Sequence, residues 1–295
     1  MTDGGWPFVK GHGTGNDFLL LPDPHGELRL TESLVRALCD RHRGLGADGV
    51  IRIAPTAKEP EVAEQASEAA WFMDYRNSDG SIAQMCGNGA RVMARYLVES
   101  AAVPAGRFAL ATRSGAKQVE AADTDEVTVD MGAATFRGLE GITVRPAEMS
   151  KSGGPLDGYP AVAVDMGNPH AVAFVDDVSL AGSLLEPPVV SPETAFPDGV
   201  NVEFAVVRDP GFVTMRVHER GSGETLSCGT GVCAVFAAAR RRLGEDGPTG
   251  RDWLVQVPGG TLTLHQDTHS SIHMTGPARI VASGTLDAAW LDRHR

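Results

Sequence analysis

The chain has 295 residues, of which 42% are hydrophobic and 22% are charged, and its formal net charge is −12. This composition is typical of a globular protein, and the length predicts two domains. The negative charge repels phosphate backbones and anionic lipids, so neither nucleic acids nor membrane surfaces are expected as partners. Apolar runs long enough to form a membrane-spanning helix are not found in the sequence. We therefore expect a cytoplasmic protein.

Short apolar runs bounded by Gly, Pro, Asn and Asp predict strands along the chain. In chain order the clearest of these runs are 18–21, 127–129, 161–164 and 212–217. An acidic stretch at 57–70 is expected to be an exposed loop or helix. Apolar residues at helical spacing predict one helix at 90–99 and a second at 232–241.

Short motifs recur in the same order in the two halves of the chain. Each half contains one Cys-Gly-x-Gly motif, which starts at Cys86 in the first half and at Cys228 in the second. The other matches are Gly15-Asn16-Asp17-Phe18 with Gly167-Asn168-Pro169-His170, Asp48-Gly49-Val50 with Asp198-Gly199-Val200, Ser114-Gly115 with Gly259-Gly260, and Val129-Asp130-Met131-Gly132 with His273-Met274-Thr275-Gly276. Five matches in one order predict an internal duplication, with its boundary in the Gly- and Pro-rich stretch 135–160.

Both cysteines of the repeated motif precede a predicted helix. The first turn of a helix exposes unpaired N–H groups and a partial positive charge, which stabilise a thiolate. Its glycines also let backbone N–H groups approach a carboxylate. In a duplicated chain, two such thiols are expected to face one cleft. One can then remove a proton from a carbon while the other donates a proton to the opposite face. The pattern predicts an enzyme that inverts a stereocentre.

The lysines and the remaining cysteines give no sign of a cofactor or a metal. None of the four lysines lies in a matched motif, so a Schiff base with pyridoxal phosphate is not expected. The cysteines form no CxxC pair, and we expect no metal site. Histidines between 265 and 273 predict an exposed hairpin, and Cys39 and Cys233 are expected to be packing residues.

In these motifs the chain resembles the diaminopimelate epimerase family over essentially its whole length. The stretches that carry the resemblance are 11–18, 75–81, 85–91, 167–170, 201–203, 218–221 and 228–231. The resemblance implies an α/β (α+β) fold of two pseudo-symmetric domains, each a curved, mostly antiparallel sheet around a central helix, and a homodimer. It implies an N-terminal half of 1–135 with 278–295 and a C-terminal half of 136–277, so that a last strand at 279–283 returns to the first half.

The resemblance also implies an activity and a set of site residues. The activity is cofactor-independent epimerisation of LL- to meso-2,6-diaminopimelate, in lysine and peptidoglycan precursor biosynthesis. Cys86 and Cys228 would be the acid–base pair, one thiolate and one thiol, and His170 a neighbour of the catalytic centre. Gly49 stands where many members have an amide, so any contact from that side chain is lost or replaced. The residues implied to bind the substrate are Asn16, Asn77, Gly87, Asn88, Asn168, Asn201, Glu219, Arg220, Gly229 and Thr230.

Other interpretations fit part of the pattern. The asparagines could form turns, Glu219 and Arg220 could form only an ion pair, and His170 could be a core histidine. A proline- or hydroxyproline-racemase-type isomerase, or a related dehydratase, shares the two-thiol logic. Against it, Asn88 and the Glu219-Arg220 pair suit a substrate with a free amine and a second charged end. A non-catalytic amino-acid-binding protein on the same fold would tolerate loss of either cysteine, yet both are present.

Overall fold

The computed structural model describes residues 5–122, 124–147, 157–245 and 250–294. Two compact units make up the chain: Met1–Val129 with Gly276–Arg295 form the first, and Asp130–Thr275 form the second. Strands dominate and helices are few, so the predicted α+β class is confirmed. Within the described ranges, the helices are all too short or too polar to cross a membrane.

The first unit is a mostly antiparallel sheet with one long helix. Its helices are α1 (Glu32–Cys39), α2 (Gly87–Glu99) and α4 (Ala288–Asp292). Its strands are β1 (Trp6–Gly13), β2 (Asn16–Pro22), β3 (Gly49–Pro55), β4 (Trp71–Asn77), β5 (Gly106–Ala111), β6 (Lys117–Ala121), β7 (Glu126–Ala133, whose end belongs to the second unit) and β19 (Arg279–Leu286). Two short 3-10 helices, Thr56–Lys58 and Ala63–Ser67, occupy the acidic stretch. The strand predicted at 279–283 lies in β19, which pairs with β1.

The second unit has the same kinds of element. Its long helix is α3 (Gly229–Arg242). Its strands are β8 (Thr135–Phe136), β9 (Thr143–Arg145), β10 (Tyr159–Asp165), β11 (Pro169–Phe174), β12 (Val189–Ser191), β13 (Asn201–Asp209), β14 (Phe212–Glu219), β15 (Gly223–Glu224), β16 (Trp253–Val257), β17 (Gly260–Gln266) and β18 (Ser271–Pro277). Strands β17 and β18 form the predicted histidine hairpin, in which His265 pairs with His273.

The strand ladders of the two units follow one topology. From β1 to β7, successive pairs are antiparallel, parallel, antiparallel, parallel, antiparallel and antiparallel. The series β10, β11, β13, β14, β16, β17 and β18 has the same order of senses. Each series also carries an extra antiparallel strand on its first member, β19 on β1 and β8 on β10. This repetition agrees with the duplication predicted from the motifs.

The pairing register of the strands corrects one of the motif matches made from the sequence. Phe18 pairs with Gly49 in the first unit, and His170 pairs with Asn201 in the second. Since Phe18 and His170 hold the same place in their motifs, Gly49 is equivalent to Asn201 and not to Gly199 as the sequence match had it. The match was wrong by two residues because both segments contain Asp-Gly-Val, and only hydrogen-bonded pairing fixes which residue lies opposite which.

A central helix is buried in each unit. Helix α2 packs against β1, β2, β3 and β4, and α3 packs against β10, β11, β13 and β14. Nearly every residue in the first three turns of α2 is buried, including Val92 and Met93, and burying a side chain of this size stabilises the fold by about 1.5–3 kcal/mol. Both predicted helices are confirmed, and each begins three residues earlier than its apolar pattern indicates. The added residues are the glycine-containing first turn, which apolar spacing does not reveal.

Candidate active site

The two cysteines of the repeated motif are the N-cap residues of the central helices. Cys86 precedes α2 with extended backbone angles (φ −141°, ψ 118°), and its Sγ accepts the N–H of Gly89 at 3.4 Å. Cys228 precedes α3 (φ −115°, ψ 113°), and its Sγ accepts the N–H of Gly231 at 3.4 Å. An N-cap residue uses its side chain to satisfy an unpaired N–H of the first helical turn. Here a sulfur takes that role in both units and lies at the positive end of the helix dipole.

Each motif needs its second glycine because a neighbouring side chain approaches closely. A Cβ on Gly89 would lie 2.8 Å from the Met73 methyl and 2.9 Å from Ile51 Cδ1. A Cβ on Gly231 would lie 2.7 Å from Glu203 Oε1 and 3.3 Å from the Cys228 sulfur. Because Ile51 and Glu203 hold equivalent places on β3 and β13, the two sites differ at this point: one has an apolar floor and the other a carboxylate.

In the first unit, Asn16 connects the cysteine to a carboxylate. Its Nδ2 donates to Asp48 Oδ2 at 2.8 Å, while its Oδ1 accepts from Asn88 Nδ2 at 3.2 Å. The Cys86 thiol points to the same oxygen at 4.0 Å. Arg41 holds Asp48 in turn, with 2.7 Å between Nη2 and Oδ1. The amide of Asn16 therefore presents its oxygen, a hydrogen-bond acceptor, to Cys86.

Asn77 lies at the end of β4, directly opposite Gly49 on β3. Its amide donates to Ser81 Oγ at 3.0 Å and is exposed. A side chain at position 49 would collide with Tyr75, whose ring lies 2.6 Å from where the Cβ would be. An amide side chain at position 49 is therefore excluded here by packing.

In the second unit, a chain of hydrogen bonds leads from a buried carboxylate to the Cys228 sulfur. Glu203 Oε1 lies 2.6 Å from His170 Nδ1, and both side chains are fully buried. His170 Nε2 lies 3.0 Å from Asn168 Oδ1, and Asn168 Nδ2 donates to Thr230 Oγ1 at 3.3 Å. The Thr230 hydroxyl lies 3.5 Å from Cys228 Sγ.

The surroundings of Cys228 disfavour its charged form. Burial raises the pKa of Cys228 well above its usual value, and the carboxylates of Glu219 and Glu203 raise it further, against smaller lowering effects from the Thr230 hydroxyl and the Gly231 N–H. The pKa of Glu219 is also raised, chiefly by burial, although hydrogen bonds with Thr225 and Cys228 lower it. These surroundings favour the thiol form of Cys228.

Asn201 and Arg220 complete the predicted set in the second unit. Asn201 pairs with His170 in the sheet register, donates to the Pro169 carbonyl at 3.1 Å, and accepts the backbone N–H of Arg220 at 2.9 Å. The Arg220 guanidinium donates to the Asp198 carbonyl at 2.9 Å. Among the described residues it forms no ion pair with Glu219, so the ion-pair interpretation is wrong. Instead it lines a cavity of about 560 Å³ that does not include Cys228.

Most of the predicted site residues therefore form two clusters, one around each cysteine. Asn16, Asn88 and Gly87 join Cys86, and Asn168, His170, Glu219, Gly229 and Thr230 join Cys228. The guanidinium of Arg220 and the amide of Asn77 point to other partners.

Sequence reasoning missed two residues of these clusters, Glu203 and Asp48. The signal for Glu203 was available, because it is the one charged residue in the apolar run 202–207. For Asp48 the sequence offers only its place in the repeated Asp-Gly-Val stretch.

The other cysteines have different surroundings. Burial, with smaller contributions from Asp17 and Asp48, raises the pKa of Cys39 to about 12, and Cys233 is fully buried inside α3. Across the described ranges, His, Cys, Asp and Glu side chains nowhere cluster in threes that could hold a metal ion. The thiols with helix-cap geometry are Cys86 and Cys228.

Comparison with known proteins gives consistent relatives. The family model described as diaminopimelate epimerase matches residues 8–137 and 162–281. The diaminopimelate epimerase of Streptomyces coelicolor is 53% identical over 97% of this chain and 96% of its own length. Those of Mycolicibacterium smegmatis (46% identical, 96% of this chain, 97% of its own) and Thermobifida fusca (45%, 95% and 97%) are similar as well.

Solved structures share the fold at low sequence identity. A phenazine biosynthesis protein of the PhzF family from Bacillus anthracis superposes with a TM-score of 0.69 at 15% identity, covering 95% of this chain and 98% of that one. A probable proline racemase from Agrobacterium radiobacter gives a TM-score of 0.67 at 17% identity, over 95% and 92% of the two chains. These likenesses concern the fold, whereas the family model and the close relatives carry the assignment. The chain belongs to the diaminopimelate epimerase family, a family of isomerases.

Proposed function

We propose that this protein interconverts LL- and meso-2,6-diaminopimelate without pyridoxal phosphate, using Cys86 and Cys228 as its two acid–base groups. The observation that carries the proposal is the paired N-cap geometry, in which each sulfur accepts an N–H three residues further along at the start of a buried helix. Family membership supplies the substrate, because the relatives are named for diaminopimelate.

The chemistry requires one proton transfer on each face of the α-carbon. A thiolate removes the α-proton and becomes a thiol. The other thiol gives its proton to the opposite face and becomes a thiolate, so proton number and charge balance over the turnover. The raised pKa of Cys228 suits its thiol to the donor role in the resting enzyme. Cys86 takes the base role when it is the thiolate, and the roles exchange when the reaction runs backward.

The intermediate carbanion needs stabilisation that water does not provide. The first-turn N–H groups of Gly87, Asn88, Gly229 and Thr230 are the donors we assign to the α-carboxylate, because N–H groups at a helix start bind anions. Fixed donors of this kind favour negative charge that develops during the reaction without having to reorganise.

The remaining polar residues are assigned to substrate binding. Asn16, Asn77, Asn168, Asn201, Glu219 and Arg220 supply amides and charges for the amines and for the distal carboxylate. We place the reaction in lysine and peptidoglycan precursor biosynthesis in the cytoplasm, and we propose that the protein acts as a homodimer without a cofactor.

The test is an epimerisation assay on LL-diaminopimelate with chiral separation of the products and no added pyridoxal phosphate. We expect meso product from wild type and at least a 10³-fold loss in both Cys86→Ala and Cys228→Ala, on the order of the loss seen when one essential acid–base or nucleophilic group is removed. Cys39→Ala serves as the matched control and should remain active. L-Proline and hydroxyproline are assayed in parallel, because the fold is shared with racemases of those substrates. Inversion of these alone would contradict the proposed substrate.

A further inference from the structure

The two cysteine sites occupy equivalent positions, but the buried residues on the strands beneath them differ. Phe18 and Ile51 lie at the equivalent places in the first unit, and both are apolar and fully buried. His170 and Glu203 occupy these places in the second unit and are equally buried. Burying a carboxylate and an imidazole costs free energy that an apolar pair would not, so their hydrogen bonds are expected to have a function. The proposed function assigns no role to Glu203.

The direction of each hydrogen bond in the series from Glu203 to Cys228 follows from its two partners. Asn168 Nδ2 donates to Thr230, so Asn168 Oδ1 faces His170 and must receive a hydrogen from Nε2. With Nε2 protonated, one further proton is held between His170 Nδ1 and Glu203 Oε1, 2.6 Å apart. Without that carboxyl group, Nδ1 would have no partner, and a ring that carried its single hydrogen on Nδ1 would leave Nε2 without one. Glu203 therefore keeps both ring nitrogens in use, because Nδ1 shares a proton with the carboxyl group while Nε2 donates to Asn168.

The orientation is passed on to the sulfur. Because the Thr230 hydroxyl already accepts from Asn168, its own hydrogen is available for Cys228 Sγ at 3.5 Å. The Gly231 N–H donates to the same sulfur. Each hydrogen in the series then points towards Cys228. In the first unit the equivalent amide, Asn16, is oriented by Asp48 and offers its oxygen to the sulfur instead.

We propose that Glu203 is a positioning residue that, through His170 and Asn168, fixes the Thr230 hydroxyl as a hydrogen-bond donor to the Cys228 sulfur. The effect is to stabilise the Cys228 thiolate that forms each time this cysteine gives up its proton. Glu203 Oε2 has no hydrogen-bond partner among the described residues, so the pairing with His170 is the polar contact that holds the carboxyl group in place. The proposal rests on the proposed function for its catalytic consequence but not for the hydrogen-bond chain itself.

The test compares two variants of similar shape, Glu203→Gln and Glu203→Met. A glutamine amide can still donate to His170 Nδ1 and keep Nε2 protonated, whereas a methionine cannot. We expect Glu203→Met to lower kcat by about 10- to 100-fold with KM within about threefold of wild type, the effect of losing one hydrogen bond to a charged group. Glu203→Gln should stay within about fivefold of wild type. Equal losses in the two variants would overturn the proposal.

A double-mutant cycle with Thr230→Val separates positioning from general destabilisation. Both substitutions remove the same donor, so adding Glu203→Met to Thr230→Val should slow the enzyme by no more than about twofold. Losses that multiply would show that Glu203 acts by another route. Asp23→Asn, which changes a fully buried carboxylate of the first unit, controls for stability and should leave kcat unchanged while lowering the unfolding midpoint.

Thiolate formation at Cys228 can also be measured without turnover. The rate of iodoacetamide alkylation at Cys228, followed by peptide mass at fixed pH, reports thiolate formation at that sulfur. Alkylation should be about tenfold slower in Glu203→Met than in Glu203→Gln, because losing a donor to the sulfur disfavours its thiolate. If wild type does not epimerise diaminopimelate, the proposed function fails, but the order of the alkylation rates still tests the hydrogen-bond series from Glu203 to Cys228. Equal alkylation rates overturn the positioning role whatever the activity.

Discussion

Substituting alanine for the second glycine of each Cys-Gly-x-Gly motif compares the two sites directly. Gly89→Ala and Gly231→Ala change equivalent positions in the first turns of α2 and α3, so the helix-propensity gain of about 1 kcal/mol is the same in both. The neighbours differ. The new methyl group of Gly89→Ala meets the flexible end of Met73 at 2.8 Å and a terminal methyl of Ile51. Both of these groups can move aside by rotation.

At Gly231 the new methyl group meets a fixed group. Glu203 Oε1 lies 2.7 Å from the added Cβ and is held by His170. Overpacking at a fixed contact costs about 1–3 kcal/mol, and moving the carboxyl group also breaks its hydrogen bond. We therefore expect Gly231→Ala to be less stable than Gly89→Ala by about 1–3 kcal/mol, with the larger loss of activity as well.

Urea unfolding followed by tryptophan fluorescence measures the difference. Trp253 is fully buried in the second unit and packs edge-on against Phe236 of α3, while the other three tryptophans lie in the first unit, so the fluorescence change reports both units. A Gly231→Ala protein as stable as Gly89→Ala would refute the assignment of a rigid carboxyl floor beneath Cys228.

Two predictions concern charged groups. Burial alone would raise the pKa of Asp17, but hydrogen bonds from Arg41 and Lys10 lower it to about 2. A depressed carboxyl pKa adds stability above its unfolded value that is lost as the pH falls. Asp17→Asn should therefore cost up to about 2 kcal/mol at pH 7, and its gap to wild type in urea unfolding should narrow between about pH 4 and pH 2. Glu219→Gln removes a charge that raises the pKa of Cys228, so alkylation of Cys228 at pH 8 should be faster than in wild type while epimerisation falls.

The alkylation experiment has a control in the same chain. Glu224→Gln removes a partly buried carboxylate that pairs with Arg216 at 2.7 Å, and it should leave the alkylation rate of Cys228 unchanged. If Glu219→Gln slows alkylation, the charge of Glu219 does not act on the sulfur. A pH-independent gap for Asp17→Asn would show that its pairing with Arg41 contributes through packing and not through charge.

The motif order in the sequence was enough to predict the duplication and the helix-start cysteines, and the family resemblance implied the α+β class. These features depend on local signals, namely glycines, apolar spacing and repeated short words, so they can be read without tertiary information. The exact ends of the halves, 1–135 with 278–295 and 136–277, stay a prediction about the duplication.

Pairing register and buried polar contacts could not be predicted in the same way. The equivalence of Gly49 with Asn201 depends on which residues face each other across β2 and β3 or β11 and β13. Glu203 is the one charged residue in its apolar run, but the sequence does not indicate that its partner is His170. Hydrogen bonds of this kind join residues that are 33 positions apart, and no local pattern specifies their partners.

Deuterium incorporation at low conversion tests the two-thiol account most directly. LL-diaminopimelate is incubated with the enzyme in deuterium oxide, and the reaction is stopped below about a tenth of full conversion, before product returns through a second turnover. If one thiol removes the α-proton and the other delivers a solvent-derived one, the meso product carries deuterium at the inverted carbon and the recovered LL substrate carries almost none. Product that retains the substrate's own hydrogen would mean that a single group serves both faces, and the account would be contradicted.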